Sequence, residues 1–96
     1  MNREVNAMNT AQAGTLESMD CLVTVSEAAQ GAGVKIQIAG SSAARFKSAM
    51  EKKAAEVIAS MGVKDIDISI QDNGALDIVL GARVEAAVKR LIGGER

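Results

Sequence analysis

One short stretch of the sequence holds a side chain that a modifying enzyme could use. The stretch 13–20 consists of small residues followed by a serine among acids, and it directly precedes the first run that could be a strand. We expect Ser18 to lie in the open, on backbone within reach of such an enzyme, where its hydroxyl can be modified covalently. Composition alone favours an ordinary loop serine, because exposed serines are common.

The other reactive side chains form no catalytic constellation. The chain has no histidine, which excludes Ser-His and Cys-His pairs and histidine metal sites. Cys21, the single cysteine, cannot form an internal disulfide and lacks a base to activate it, so we expect a half-buried structural thiol. Four aspartates follow no calcium-loop spacing and are expected on a solvated face: Asp65, Asp67, Asp72 and Asp77. We therefore expect no catalytic residues and no metal ligands.

Charge and composition narrow the choice of partners. Eleven basic against twelve acidic residues leave a net charge of −1, and Phe46 is the only aromatic residue, so nucleic acid and membrane surfaces are poor partners. Arg45 and Lys52 lie on one side of a predicted helix, where a solvated face is expected and a docking surface for phosphate groups is the alternative. No apolar run is long enough to span a membrane and nothing resembles a signal peptide, which indicates a cytoplasmic protein.

The first half of the chain predicts two strands and a long helix. Residues 1–13 lack periodicity and are interpreted as a flexible leader, with Met1 and Met8 both open as the start, ahead of one domain over residues 14–96. Alternation over 21–25 and over 34–38 predicts a hairpin, whose register is open between pairing Val25 with Val34 or with Ile36. Ser41 or Ser42 is expected to cap the helix that follows, and Gly62 to end it. That helix carries an apolar stripe: Phe46, Met50, Ala54, Val57, Ile58 and Met61.

The second half predicts another hairpin and a last helix. A three-residue loop, 72–74, would pair Ile70 with Leu76, Ile68 with Ile78 and Ile66 with Leu80, so that partners share the core face. A helix is expected over 82–92. The predicted fold is a two-layer α+β sandwich in the order β-β-α-β-β-α, with two helices on one face of a four-stranded sheet.

The serine stretch resembles the attachment segment of the citrate lyase acyl carrier protein, the gamma chain of that complex. The resemblance is carried by Gly14-Thr15-Leu16-Glu17-Ser18 with Asp20, and by a second stretch that comprises Gly74-Ala75-Leu76-Asp77, Leu80 and Ala82-Arg83-Val84-Glu85. It implies that Ser18 is the attachment residue and that Gly14, Leu16, Glu17 and Asp20 flank it as recognition residues. Electrostatics alone would not place a phosphodiester here, because Glu17 and Asp20 are acidic.

The resemblance also implies a function. Ser18 would carry covalently bound phosphoribosyl-dephospho-coenzyme A, whose terminal thiol holds acetyl and citryl groups. The partners would be the citrate lyase alpha and beta subunits, the holo-carrier synthase, and an acetate ligase that acts on the thiol of the arm. The chain would then be a non-catalytic carrier, with a rigid body and a loose Ser18 loop.

Two other functions stay open. The carrier subunit of malonate decarboxylase would bear the same kind of arm and serve other enzymes. A protein of another class, an unmodified adaptor, would dock through its sheet or its long helix and carry nothing.

Overall fold

Four strands and two helices make up residues 9–93, the part of the chain that the computed structural model describes. They follow in the order β1 (Thr10–Gly14), β2 (Asp20–Glu27), β3 (Val34–Gly40), α1 (Ala43–Ser60), β4 (Ile66–Asn73) and α2 (Asp77–Gly93). The predicted class is confirmed, because the strands form one sheet and the helices form a second layer against it. The predicted order of elements is wrong, since the observed order is β-β-β-α-β-α.

The sheet is mixed, with the strand order β1-β2-β4-β3. β1 pairs antiparallel with β2, and β2 pairs antiparallel with β4. β3 pairs parallel with β4, and α1 provides the crossover that a parallel pair requires. Ile68 has Val25 on one side and Ile36 on the other, so the apolar residues of neighbouring strands fall in rows on one face.

Both predicted hairpins are wrong, and the position of β4 explains why. The strands predicted at 21–25 and 34–38 exist, but each pairs with β4, which lies between them. β4 therefore has no free edge for a partner at residues 76–80. That segment instead begins α2, in which Leu80, Val84, Ala87 and Val88 are buried at helical spacing. Asp77 starts this helix, where a carboxylate is favoured by the helix dipole.

The first strand lies within the stretch interpreted as a leader. Residues 10–14 pair along β2 from Thr10 opposite Ser26 to Gly14 opposite Leu22, so the leader interpretation is wrong for residues 10–13. The strand was missed because its residues are small or polar, and only Ala13 is fully buried. Residues 1–8 lie outside the described part of the chain.

The core lies between the sheet and the two helices. α2 packs over β1 and β2, while α1 packs over β3 and against α2. The stripe predicted on α1 is confirmed at Met50, Ala54 and Ile58, which are buried, whereas Phe46 is half exposed. Ser42 is the N-cap residue of α1, but its hydroxyl makes no cap bond, so the predicted serine cap is wrong. Gly62 follows the helix with φ +76°, as predicted. The opposite face of the sheet is polar and is lined by Thr24, Ser26, Lys35, Gln37, Asp67 and Ser69.

Asp72 joins the ends of three elements, although the sequence predicts it on a solvated face. Its buried carboxylate accepts hydrogen bonds from the amides of Gly74 and Ala75 (both 2.9 Å) and from the amide of Ser42 (3.2 Å). Burial raises the pKa of a carboxyl, but these hydrogen bonds outweigh burial and hold the pKa of Asp72 below its usual value. The charged form of Asp72 therefore fixes the turn from β4 into α2 and the start of α1.

No helix within residues 9–93 combines the length and the apolar character that crossing a membrane requires. The cytoplasmic location inferred from the sequence stays a prediction.

The topology can be tested with two isoleucines that the predicted hairpin would have paired. Ile68 is 2% exposed in β4, whereas Ile78 is 75% exposed on the first turn of α2. Ile68→Ala should lower the free energy of unfolding by about 2–5 kcal/mol, because it leaves a cavity in the core. Ile78→Ala should change it by no more than about 0.5 kcal/mol. Urea denaturation measures both, and similar large losses would favour the hairpin instead.

Candidate functional site

Ser18 lies in the loop of residues 15–19 that connects β1 to β2, and its side chain is exposed. The loop closes with a turn in which the Asp20 amide donates to the Glu17 carbonyl (3.1 Å), and Met19 adopts a left-handed conformation with φ +66°. No group between residues 9 and 93 is hydrogen-bonded to the Ser18 hydroxyl. The hydroxyl predicted from the sequence as the attachment point therefore faces solvent without an internal partner.

A partly buried ion pair lies under this loop, with Asp20 largely covered and Arg83 38% exposed. Arg83 of α2 donates from Nε to Oδ1 of Asp20 (2.9 Å) and from one terminal nitrogen to Oδ2 (2.7 Å), a bidentate contact. The Thr15 hydroxyl donates to Oδ2 (2.7 Å) and the Cys21 amide to Oδ1 (2.7 Å). These bonds, led by those from Arg83, hold the pKa of Asp20 well below its usual range. Asp20 is thus a fully partnered carboxylate, unsuited to act as a proton acceptor.

Further hydrogen bonds hold the backbone of the loop on both sides. The Thr15 amide donates to the Cys21 carbonyl (3.1 Å), and the Thr15 hydroxyl accepts from the Glu17 amide (3.1 Å). Across the sheet, the Met19 amide donates to the carbonyl of Asn73 (2.7 Å), whose side-chain amide donates to the Leu16 carbonyl (3.0 Å). The expected loose loop is therefore corrected: its backbone is anchored to β2 and to the end of β4.

Gly14 has a conformational role at the entry to the loop. Its φ of +99° is one that residues with a side chain rarely adopt. A Cβ atom there would lie 1.9 Å from the carbonyl oxygen of Cys21. A larger residue would push β1 away from β2 at the point where the loop begins. Gly14 therefore shapes the site through the backbone.

The predicted flanking residues divide into two groups. Gly14 and Asp20 belong to the frame of the loop, and Asp20 is buried. Leu16 and Glu17 directly precede Ser18 and are exposed, so another protein can contact them. The structure thus brings all four residues around Ser18, and their role as recognition residues stays a prediction.

Three residues that support the loop were not recognised from the sequence as site residues: Thr15, Asn73 and Arg83. Thr15 and Arg83 belong to the two stretches that carry the resemblance, but nothing in the sequence assigned either residue a role in the site. One feature of the sequence did point to a cation such as Arg83. Asp20 directly precedes a buried apolar strand, and a buried carboxylate needs a cation or several hydrogen-bond donors, because an unpaired buried charge is costly. Sequence alone does not say which of eleven basic residues provides it.

Cys21 is fully buried directly after Asp20. Burial, with the nearby charges of Asp20 and Asp72, raises the pKa of its thiol to about 11. The thiol is thus protonated near neutral pH and out of reach of solvent, as a structural thiol would be, and it is fully buried rather than half-buried as predicted.

A comparison with known proteins first identifies the class of protein to which the chain belongs. A family model for acyl carrier proteins, described as the malonate decarboxylase delta subunit, matches residues 8–91. Citrate lyase acyl carrier proteins are similar over most of their length. That of Klebsiella pneumoniae is 42% identical over 80 residues, which are 83% of this chain and 81% of the relative.

Citrate lyase acyl carrier proteins of two other bacteria show a similar degree of identity. The citrate lyase acyl carrier protein of Halothermothrix orenii is 38% identical over 85 residues, 88% of each chain. That of Clostridium perfringens is 40% identical over 80 residues, 83% of this chain and 78% of the relative. The chain belongs to the family of citrate lyase acyl carrier proteins.

The ion pair leads to a prediction about stability and pH. The folded pKa of Asp20 lies below its unfolded value of about 3.9, so its contribution to stability is complete above that value and is lost as the pH falls below it. Arg83→Gln should therefore lower the free energy of unfolding at pH 7. It should also make the loss of stability between about pH 5 and pH 2 less steep than in the parent.

The control is Lys89→Gln, which breaks the exposed Glu85–Lys89 pair (3.0 Å) on the same helix. Exposed pairs contribute little, so this variant should follow the parent at every pH. Denaturant titrations at a series of pH values provide the measurement. An Arg83→Gln protein with the parent's acid dependence would show that Arg83 does not set the pKa of Asp20.

Proposed function

We propose that the protein is a covalent acyl carrier in which Ser18 Oγ is joined through a phosphodiester to a phosphoribosyl-dephospho-coenzyme A arm. In this proposal the carrier serves the alpha and beta subunits of citrate lyase and has no catalytic activity of its own. The observation that carries it is the Ser18 hydroxyl, which is exposed on an anchored loop and has no hydrogen-bond partner among residues 9–93, in a chain of the acyl carrier family.

The residues around Ser18 fit an attached arm. Ser18 is exposed and outside the core, so a large group can be attached there without disturbing the packing. Asp20, one of the two acids that the sequence places beside the phosphodiester, is neutralised by the bidentate contact with Arg83. Glu17 is exposed to water, where its charge is screened.

Attachment requires Ser18 Oγ to form a bond to phosphorus while a phosphoanhydride bond of the incoming donor breaks. The phosphate group on the far side of that bond leaves, and the hydroxyl proton passes to a base. Asp20 is a poor acceptor for that proton, because its oxygens already accept bonds from Arg83, Thr15 and Cys21. The absence of histidine from the chain and the buried thiol of Cys21 also support a protein that performs no chemistry unaided. We infer that the holo-carrier synthase supplies the base.

The arm, when bound, supplies a terminal thiol that carries acyl groups as thioesters. The chain's part is to keep the attachment point fixed, since the loop backbone is held by Thr15, Asp20 and Asn73. The reach between partner active sites then comes from the arm rather than from the loop. A tether of this kind raises the effective concentration of the thioester at each site into the millimolar range.

A second candidate is the carrier subunit of malonate decarboxylase, which the description of the matching family model favours. The relatives described above are citrate lyase carriers, and they favour the first candidate. Retention of citrate lyase alpha and beta subunits by the tagged holo-protein, and not of malonate decarboxylase subunits, would support the first. The reverse result would support the second.

The attachment residue is tested by intact mass after co-expression with the holo-carrier synthase. The parent should gain the mass of one arm, and Ser18→Ala should gain none, because no other oxygen replaces the Ser18 hydroxyl. Ser48→Ala, which removes an exposed serine of α1, is the matched control and should gain one arm like the parent. An unmodified parent would favour the adaptor function, and an arm on Ser18→Ala would place the attachment elsewhere.

A further inference from the structure

An apolar groove of about 360 Å³ lies between the first turns of α1 and α2. Its walls are largely apolar: Phe46, Ala49, Met50, Ala75, Leu76 and Leu80. The volume falls at the lower end of the range for small-molecule sites, about 300–1,000 Å³. The groove is therefore large enough for a slender chain of atoms.

The irregular start of α1 leaves this groove open. Phe46 has non-helical backbone angles (φ −122°, ψ +17°), and its ring is 50% exposed although the sequence predicts it in the core stripe. Leu76 is 57% exposed in the connection before α2. Two large apolar side chains thus border the groove without covering it, a pattern that marks binding surfaces.

The groove begins close to the loop that carries Ser18. Gly74 is one of its lining residues, and a Cβ atom on Gly74 would lie 3.9 Å from the backbone of Met19. The Met19 amide is also hydrogen-bonded to the carbonyl of Asn73, the residue before Gly74 (2.7 Å). Ser18 is therefore one residue from Met19, whose backbone lies beside Gly74 at the edge of the groove.

We propose, on the basis of the proposed function, that this groove holds the arm attached to Ser18 while the carrier is away from its partner enzymes. The pantetheine part of the arm combines methyl groups with two amides. The methyl groups suit the side chains of Phe46, Met50 and Leu76, and the amides suit the polar groups of Ser42 and Asp77 that also line the groove.

Because the arm is attached to Ser18, a groove with weak affinity is enough to hold it. A short flexible linker gives effective concentrations in the millimolar range, so a groove with millimolar affinity is about half occupied by an attached arm. An affinity so weak also lets the arm leave when a partner enzyme offers a better site. A protein occupant is less well suited, because stable protein interfaces bury about 1,200–2,000 Å² with about 20–30 residues on each side. This groove is lined by nine residues.

Phe46 makes the proposal testable by NMR spectroscopy, because it is the only aromatic residue in the chain. In the holo-protein, the ring protons of Phe46 should show nuclear Overhauser effects to the geminal methyl groups of the arm, and those methyl signals should shift upfield. Phe46→Leu should remove the upfield shift. The absence of both effects in a holo-protein whose intact mass shows the arm would overturn the groove and leave the carrier function standing.

The alkylation rate of the arm thiol gives a second readout that needs no enzyme activity. At half occupancy, Phe46→Ala should raise this rate by about twofold, since it frees the docked fraction. Ile92→Ala, which truncates an exposed residue near the other end of α2, should leave it unchanged. Equal rates in both variants would contradict the proposal. So would Phe46 and Leu76 signals that respond only to an added lyase subunit, which would make the groove a protein-docking surface.

Discussion

The structure around Ser18 depends on the contact between Asp20 and Arg83. It joins the first residue of β2 to the middle of α2, 63 positions later in the chain. The same carboxylate accepts from the hydroxyl of Thr15, so one charged group ties the loop to both the sheet and the helix layer. Because a buried carboxylate without its cation is costly, the loop and α2 are expected to keep their relative positions.

This constraint separates the two tasks of a carrier. If the attachment point were mobile, the position of the arm would vary at its attached end as well as at its free end. Here the backbone on either side of Ser18 is held by Thr15, Asp20 and Asn73, while the hydroxyl itself has no partner within the described residues. In the proposed function the arm therefore provides the mobility, and we propose that the groove lined by Gly74 limits it when no partner enzyme is bound.

The sequence allowed the fold class and the exposed serine to be predicted, but not the connections. Alternation in β2, β3 and β4 and the helical spacing in α1 are local signals, so these elements could be recognised. The prediction of the second hairpin was wrong because Leu76, Ile78 and Leu80 fit a strand locally. In the fold, β2 and β3 pair with the two edges of β4, so no edge is left for a further strand. β1 has almost no apolar signal, since pairing with β2 rather than burial defines it.

The frame of the site was harder to predict for the same reason. Ser18 could be found because the resemblance is local, but Arg83 and Asn73 reach the loop through the tertiary fold. Asp20 appeared from the sequence to be a charge that repels the arm. In the folded chain it is the paired group that holds the loop carrying Ser18.

Amide hydrogen exchange in the loop tests this account most directly. The amides of Thr15 and Met19 donate hydrogen bonds to the carbonyls of Cys21 and Asn73 and should therefore exchange slowly. The Ser18 amide has no hydrogen-bond partner in residues 9–93 and should exchange fast. In Asp20→Asn, Thr15 and Met19 should lose this protection while the centre of β4 keeps its own. Unchanged protection in the variant would show that the loop does not depend on Asp20 and Arg83.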